Sequence, residues 1–217
     1  LPLTEDPEER QLLTAVLSGS RKALNWCDDK GSVDFYDMKG IVEGLLEAMQ
    51  VSDYTMTRSQ QPYLHPGKSC DIVVNGEVIG SFGEARPVVQ ENFELDQVTY
   101  VLEMAVEPLV ASATAVPQYK HLPKFPSMSR DIAVVVPAEV TNAELEQVIR
   151  AHAGELLQGV RVFDIYTGKQ VAAGCKSMAF NLTYQAADRT LTDAEVDASM
   201  KKVIAEVAEV YKAKLRD

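Results

Sequence analysis

A chain of 217 residues with a formal net charge of -11 has room for one large or two ordinary domains, each with its own core. No apolar run approaches the ~20 residues of a membrane helix, and no basic-then-apolar leader is present, so the sequence predicts a cytosolic protein, away from membranes. Its cysteines, Cys27, Cys70 and Cys175, are odd in number and lack metal-type spacing, which predicts reduced thiols, no disulfide framework and no metal site.

From Asp6 to about Leu24, acidic residues followed by Leu12, Leu13, Val16 and Leu17 predict a helix. A second helix is predicted in SVDFYDMKGIVEGLLEAM, with Asp37 as N-cap and a stripe of Met38, Ile41, Val42, Leu45, Leu46 and Met49. Gly40 and Gly44 lower its propensity but would permit a close neighbour. The period then changes to two. YTMTR reads as a strand, YLHPGKS as a turn, DIVVNGEVIGSFGEA as a hairpin about Asn75-Gly76, and residues 98–109 as a further strand. Residues 118–125, among Pro117, Pro123 and Pro126, read as a linker. The predicted domains are therefore 1–120 and 121–217.

In the second half, RDIAVVV reads as a strand with Ile132, Val134 and Val136 on one face, Ala133 and Val135 on the other, ended by Pro137. Thr141 with Glu144, and Thr192 with Glu195, are capping boxes that open helices. Between them, Val162 to Gln185 predicts a strand pair. Strict alternation places Phe163 and Ile165 on one side and Val162, Asp164 and Tyr166 on the other; Met178, Phe180, Leu182 and Tyr184 form the apolar side of the second strand, opposite Ser177, Ala179, Asn181 and Thr183. KAKLR supplies a short last strand. The order β-α-β-β-α-β is that of the ferredoxin-like split βαβ arrangement, in which both helices cover one sheet face. The fold class is α+β.

No catalytic constellation emerges: His65, His121 and His152 are isolated, without spacing for a metal pair or a nucleophile and its base. Asp28-Asp29 and Glu8-Glu9 read as solvated charges, and GSFGEA as a strand and its turn, not a phosphate loop. Net acidity argues against nucleic acid, but it is local. Residues 1–119 carry 8 Lys and Arg against 19 Asp and Glu, whereas residues 120–217 carry 13 against 13. That leaves Arg130 and Lys176, among others, as candidate phosphate contacts; Arg130 serves equally well as an ion-pair partner of Asp131. On the helix-free face, a tyrosine offers a stacking platform, a carboxylate accepts from a base edge and a hydroxyl does either. Asp164, Tyr166 and Ser177 therefore suit an unstacked base, and equally Tyr166 could pack at an interface while Asp164 caps a turn.

KFPSMSRDIAVVV, FDIYTGK, KSMAFNLTYQAADRTLTDAEV and the closing LR resemble the C-terminal anticodon-binding domain of the bacterial phenylalanine–tRNA ligase β-subunit family. VDFYDMKGIVEGLL, YLHPGKS and IGSFGEARPVV resemble the preceding class II synthetase-like domain of that subunit, which is non-catalytic. The resemblance runs over nearly the whole chain, which begins at Leu1 instead of Met and so reads as a piece of a longer one. It implies an (αβ)₂ heterotetramer that uses ATP and Mg²⁺, with the active site in the α subunit. The anticodon loop of the phenylalanine tRNA, not DNA, would be the nucleic-acid partner. Ala133, Asp164, Tyr166 and Ser177 fall where the family contacts the first anticodon base. No Phe-Arg-x-Glu element is present and Arg86 is followed by Pro87, so the arginine clamp for a triphosphate is missing. No cofactor is expected on this chain, and the family's metal-binding and editing regions lie outside it. The competing expectation is a regulatory or scaffold protein whose ferredoxin-like domain binds a small molecule or another protein.

Overall fold

The computed structural model describes residues 9–22, 26, 31–114, 116, 119, 122–168 and 170–216. The chain divides into two compact units, Leu1–Tyr119 and Lys120–Asp217. Both combine antiparallel sheets with helices, the α+β class that the sequence predicts.

The first unit holds β1 (Leu12–Ser18), α1 (Phe35–Ala48), β2 (Tyr54–Arg58), β3 (Leu64–Val74), β4 (Glu77–Ala85), α2 (Pro87–Asn92), β5 (Thr99–Ala105) and α3 (Val106–Ser112). Its sheet runs β1-β5-β4-β3-β2. Met38, Val42 and Leu46 of α1 are buried with Ile72, Phe82, Leu102 and Met104 of the sheet. Asn75 and Gly76 take φ of 52° and 81°, the pair of positive values that a two-residue turn matched to strand twist demands.

Five expectations for this unit are corrected. The predicted first helix is a strand. Leu13, Ala15 and Leu17 pack on the core while Leu12 and Val16 are exposed, a period of two that apolar residues on both faces disguise as a helical stripe; residues 6–8, 23 and 24 lie outside the described set. Helix α1 is capped by Asp34, not Asp37. Asp34 accepts from the Tyr36 and Asp37 amides at 2.8 and 3.1 Å, and Asp37 accepts from the Asp34 amide at 2.7 Å, so Asp37 is the third residue of a reciprocal box. Arg21 bonds both carboxylates at 2.9 Å, and its guanidinium, with the Asp34 amide, holds the Asp37 carboxyl below its ordinary pKa.

The predicted YLHPGKS turn is the irregular start of β3. Its register shifts between Leu64 and Ser69, and Ser69 Oγ donates to the His65 carbonyl at 2.8 Å. The predicted strand over 98–109 stops at Ala105 and becomes α3, because Pro108 falls in a first helical turn that needs no amide there. GSFGEA lies wholly within β4, and its glycines answer to packing: a Cβ on Gly80 would meet the Glu103 carbonyl at 2.7 Å, and one on Gly83 the Lys68 carbonyl at 2.4 Å. Gly40 and Gly44 differ, since nothing lies within 4 Å of a Cβ built on either. The close neighbour expected at each is not there.

The second unit holds β6 (Met128–Pro137), α4 (Asn142–Ala153), β7 (Leu157–Tyr166), β8 (Cys175–Tyr184), α5 (Asp193–Tyr211) and β9 (Lys214–Leu215). The sheet order is β7-β8-β6-β9, the split βαβ order expected. Ile132, Val134 and Val136 of β6 and Met178, Phe180, Leu182 and Tyr184 of β8 are buried with Leu145 and Ile149 of α4 and Val196, Val203 and Val207 of α5. Both helices thus cover one sheet face. The Tyr184 hydroxyl is hydrogen-bonded in the core with Ser199 Oγ, 3.2 Å away, while Ser199 donates to the Ala153 carbonyl at 2.7 Å.

Both predicted capping boxes form in α4 and α5. In the first, the Thr141 amide donates to Glu144 at 2.7 Å and the Glu144 amide donates back to the Thr141 hydroxyl at 3.3 Å. Thr141→Ala should therefore destabilise this unit by about 1 kcal/mol, a drop of about 4–8 °C in melting temperature for a domain of this size. An unchanged melting temperature in a scanning calorimeter would show that the box contributes nothing.

Candidate functional site

The sheet face that carries neither α4 nor α5 is built from strand parity. Ile132, Val134 and Val136 point to the core, so Ala133 and Val135 point away; on β8 the even residues Met178 and Phe180 are buried, so Ser177 and Ala179 point away. The register joins them in rungs: Ala133 opposes Ala179, and Val135 opposes Ser177. On the other side of β8, Asp164 opposes Ala179 and Tyr166 opposes Ser177. All four predicted residues, Ala133, Asp164, Tyr166 and Ser177, thus fall on two neighbouring rungs of one face. The alanines make a low floor, with the carboxylate and the phenol at the β7 edge.

The alternation predicted for β7 is corrected by a bulge. The register shifts between Val162 and Asp164, so Val162 opposes buried Phe180 and Asp164 opposes Ala179. Phe163 is the extra residue, which reverses parity beyond it. Val162 therefore packs against the core instead of sharing the face of Asp164 and Tyr166. Phe163 and Ile165 are not covered by the helices; they are 54% and 53% exposed.

The four residues also differ in access. Asp164 is exposed and Tyr166 and Ala133 are half-buried, but Ser177 is only 3% exposed, contrary to its predicted place on a free surface. Lining this rung is a residue that the sequence reading did not single out. Arg216 places its guanidinium carbon 4.7 Å from the centre of the Tyr166 ring. The signal available was parity in KAKLR: Leu215 opposes Val134, so Lys214 and Arg216 belong to the face of Ala133 and Val135. The Tyr166 ring also excludes a side chain at Gly168, where a Cβ would lie 2.1 Å from the phenol oxygen.

Residues 123–216 match the family described as Ferredoxin-fold anticodon binding domain, and residues 2–106 match the Phenylalanyl tRNA synthetase beta chain CLM domain. The phenylalanine–tRNA ligase beta subunits of Shouchella clausii and Halalkalibacterium halodurans are 41% and 42% identical over 215 residues, which is 99% of this chain and 26% of each relative. That of Bacillus subtilis is 38% identical over 211 residues, 97% of this chain and 26% of the relative. The chain belongs to the phenylalanine–tRNA ligase beta-subunit family. It spans about a quarter of the length of these relatives.

Within the anticodon binding domain, the two candidate phosphate contacts lie off the rungs just described. Arg130 opposes buried Leu182 and is on the helix side, where it bonds Asp193 and also Asp197 at 3.4 Å. Of the two readings, the ion pair forms, but with α5 instead of Asp131. Asp131 accepts from the Asn181 amide group at 2.6 Å. Lys176 opposes buried Val136, again on the helix side.

The CLM domain contains a polar group of side chains that sequence spacing gave no means of finding. Glu84, nearly buried, pairs with Lys68 at 2.6 Å and accepts from the Tyr100 hydroxyl at 3.3 Å. Its carboxylate raises the pKa of Lys68, and burial chiefly raises that of Tyr100. Ser81 donates to Asp71 at 2.7 Å, and Arg86 Nε to the Leu64 carbonyl at 3.3 Å. These groups satisfy one another. Among the described residues, no group of three His, Cys, Asp or Glu side chains is placed to hold a metal ion, and no helix is long and apolar enough to cross a membrane.

Proposed function

We propose that the chain is the anticodon-holding part of a phenylalanine–tRNA ligase beta subunit. Residues 121–217 bind the anticodon loop of the phenylalanine tRNA, and residues 1–120 form a degenerate class II synthetase-like domain that packs against a catalytic alpha subunit in an (αβ)₂ heterotetramer in the cytoplasm. The observation that carries the reading is the pair of rungs: a tyrosine ring, a carboxylate and a hydroxyl over an alanine floor, on a domain of the anticodon-binding family. An unstacked base fits such a surface because its flat face meets the ring while its polar edge meets Asp164 and Ser177. The floor must be low for the base to lie on it, which gives Ala133 its role.

ATP and Mg²⁺ belong to the alpha subunit in this reading. Unit 1 lacks the Phe-Arg-x-Glu arginine of a triphosphate clamp; Arg86 donates its Nε to a backbone carbonyl, and Lys68 is paired with Glu84. A carboxylate beside that lysine also repels a polyanion. The domain's contribution is therefore assembly, not chemistry.

Because residues 120–217 carry equal numbers of acids and bases, the attraction for RNA is local, and binding by this chain alone is weak and salt-sensitive. Titration of the chain with a labelled phenylalanine-tRNA anticodon stem-loop, followed by fluorescence anisotropy, should give saturable binding that exceeds binding of a stem-loop with an unrelated anticodon. Equal binding of the two would overturn the reading.

A further inference from the structure

Helix α5 ends at Tyr211, and Lys212, at φ 51°, turns the chain back onto the sheet. Only Lys214 and Leu215 form β9, paired with Val135 and Val134, and the Arg216 amide extends the ladder by donating to the Ala133 carbonyl at 2.9 Å. This is the shortest strand of the sheet. From it the Arg216 side chain crosses towards β7, with β6 and β8 between. There its guanidinium meets the Tyr166 ring at 4.7 Å and donates to Gln170 Oε1 at 3.1 Å.

Beneath that crossing lies Ser177, on the rung that joins Val135 to Tyr166. It is 3% exposed although neither helix covers this face. Over its rung the two long side chains reach towards each other from opposite edges of the sheet. Gly168 lies against the phenol end of Tyr166 and the guanidinium over its ring, so a base stacking on that ring face would have to displace Arg216. The guanidinium is planar and weakly hydrated, so it occupies an aromatic face much as a base does. A base and Arg216 compete for the same ring.

We propose that Arg216 is a further residue of the base site and acts as its movable cover: it closes the Tyr166–Ser177 surface in the free domain and leaves the ring when a nucleotide base enters. This rests on the anticodon reading above. The cover is held by one cation–π contact, one side-chain hydrogen bond and a two-residue strand, so it opens more readily than any core element. Closure lowers the apparent affinity for a base by the fraction of molecules that are open. For a contact of this kind that factor is roughly two- to fivefold.

The test has an arm without RNA and an arm with it. Ser177→Cys, in a chain whose native cysteines are replaced by serine, is labelled with a neutral thiol reagent in the Arg216 and the Arg216→Leu backgrounds; leucine keeps the backbone bond to Ala133. Gln170→Ala, which removes the guanidinium's anchor without touching β9, is the second variant. The proposal expects faster labelling in both variants. It also expects stem-loop binding by Arg216→Leu to tighten roughly two- to fivefold in high salt, where the lost phosphate attraction is screened. Unchanged labelling in both variants would overturn the cover, and so would binding weakened equally at low and high salt, which would make Arg216 a direct contact. Faster labelling with no stem-loop binding by any of the proteins would keep the cover and remove the anticodon base as its competitor.

Discussion

Phe180→Ala is expected to destabilise the Lys120–Asp217 unit by about 3–5 kcal/mol, a large share of the ~5–15 kcal/mol that separates a typical domain from its unfolded chain. Phe180 is fully buried and sits on β8, flanked by Ile132 of β6 and Val162 of β7 in register. Its ring fills the layer between the sheet and helices α4 and α5, so truncation leaves a cavity that the sheet cannot close without moving. The same strand carries Ala179 and Ser177 on its opposite face, and the rungs of the candidate site keep their register only while β8 is held flat against the helices. Amide hydrogen exchange should therefore show lost protection across β6, β7 and β8, with stem-loop binding falling in proportion to the unfolded fraction. Protection unchanged from the parent chain would contradict this account of the core.

The parts of the fold that could be read from residues alone were those in which one local rule acts without competition. Thr141 with Glu144 and Thr192 with Glu195 mark helix starts, Asn75-Gly76 marks a tight turn, and the alternation in RDIAVVV and KSMAFNLTY places every side chain on its observed face. Where two rules fitted the same residues, tertiary context decided between them. Leu12, Leu13, Val16 and Leu17 satisfy both a helical stripe and a two-faced strand, and pairing along the whole length of β5 selects the strand. Asp34 and Asp37 both stand where a cap could be, and only the reciprocal bonds decide which is the cap and which the third residue.

The candidate site was half legible for a related reason. Parity on β6 and β8 is uninterrupted, so Ala133 and Ser177 could be placed; β7 contains a bulge at Phe163, which no alternation rule anticipates, and Val162 was misplaced as a result. Asp164 and Tyr166 lie beyond the bulge, and their shared face follows from their own spacing of two. The burial of Ser177 was out of reach, because the side chain that crosses its rung, Arg216, comes from 39 residues away in sequence and two strands away in the sheet. Arg130 and Lys176 illustrate the converse: basic residues in a neutral domain invite a phosphate, yet register puts both on the helix side.

The central claim is that a base of the anticodon loop stacks on Tyr166. Removing the ring by Tyr166→Ala should cost about 1–3 kcal/mol of binding, the value of one base on one aromatic platform, with no change in salt slope because no charge is lost. Asp164→Ala should weaken binding as well, through the base edge. The most direct measurement is a double-mutant cycle between Tyr166→Ala and an anticodon stem-loop whose first anticodon position is abasic. The account predicts that each change alone weakens binding, about fivefold or more, and that adding Tyr166→Ala to the abasic stem-loop causes no further loss. Losses that simply add would mean that Tyr166 and this base never meet, and would contradict it.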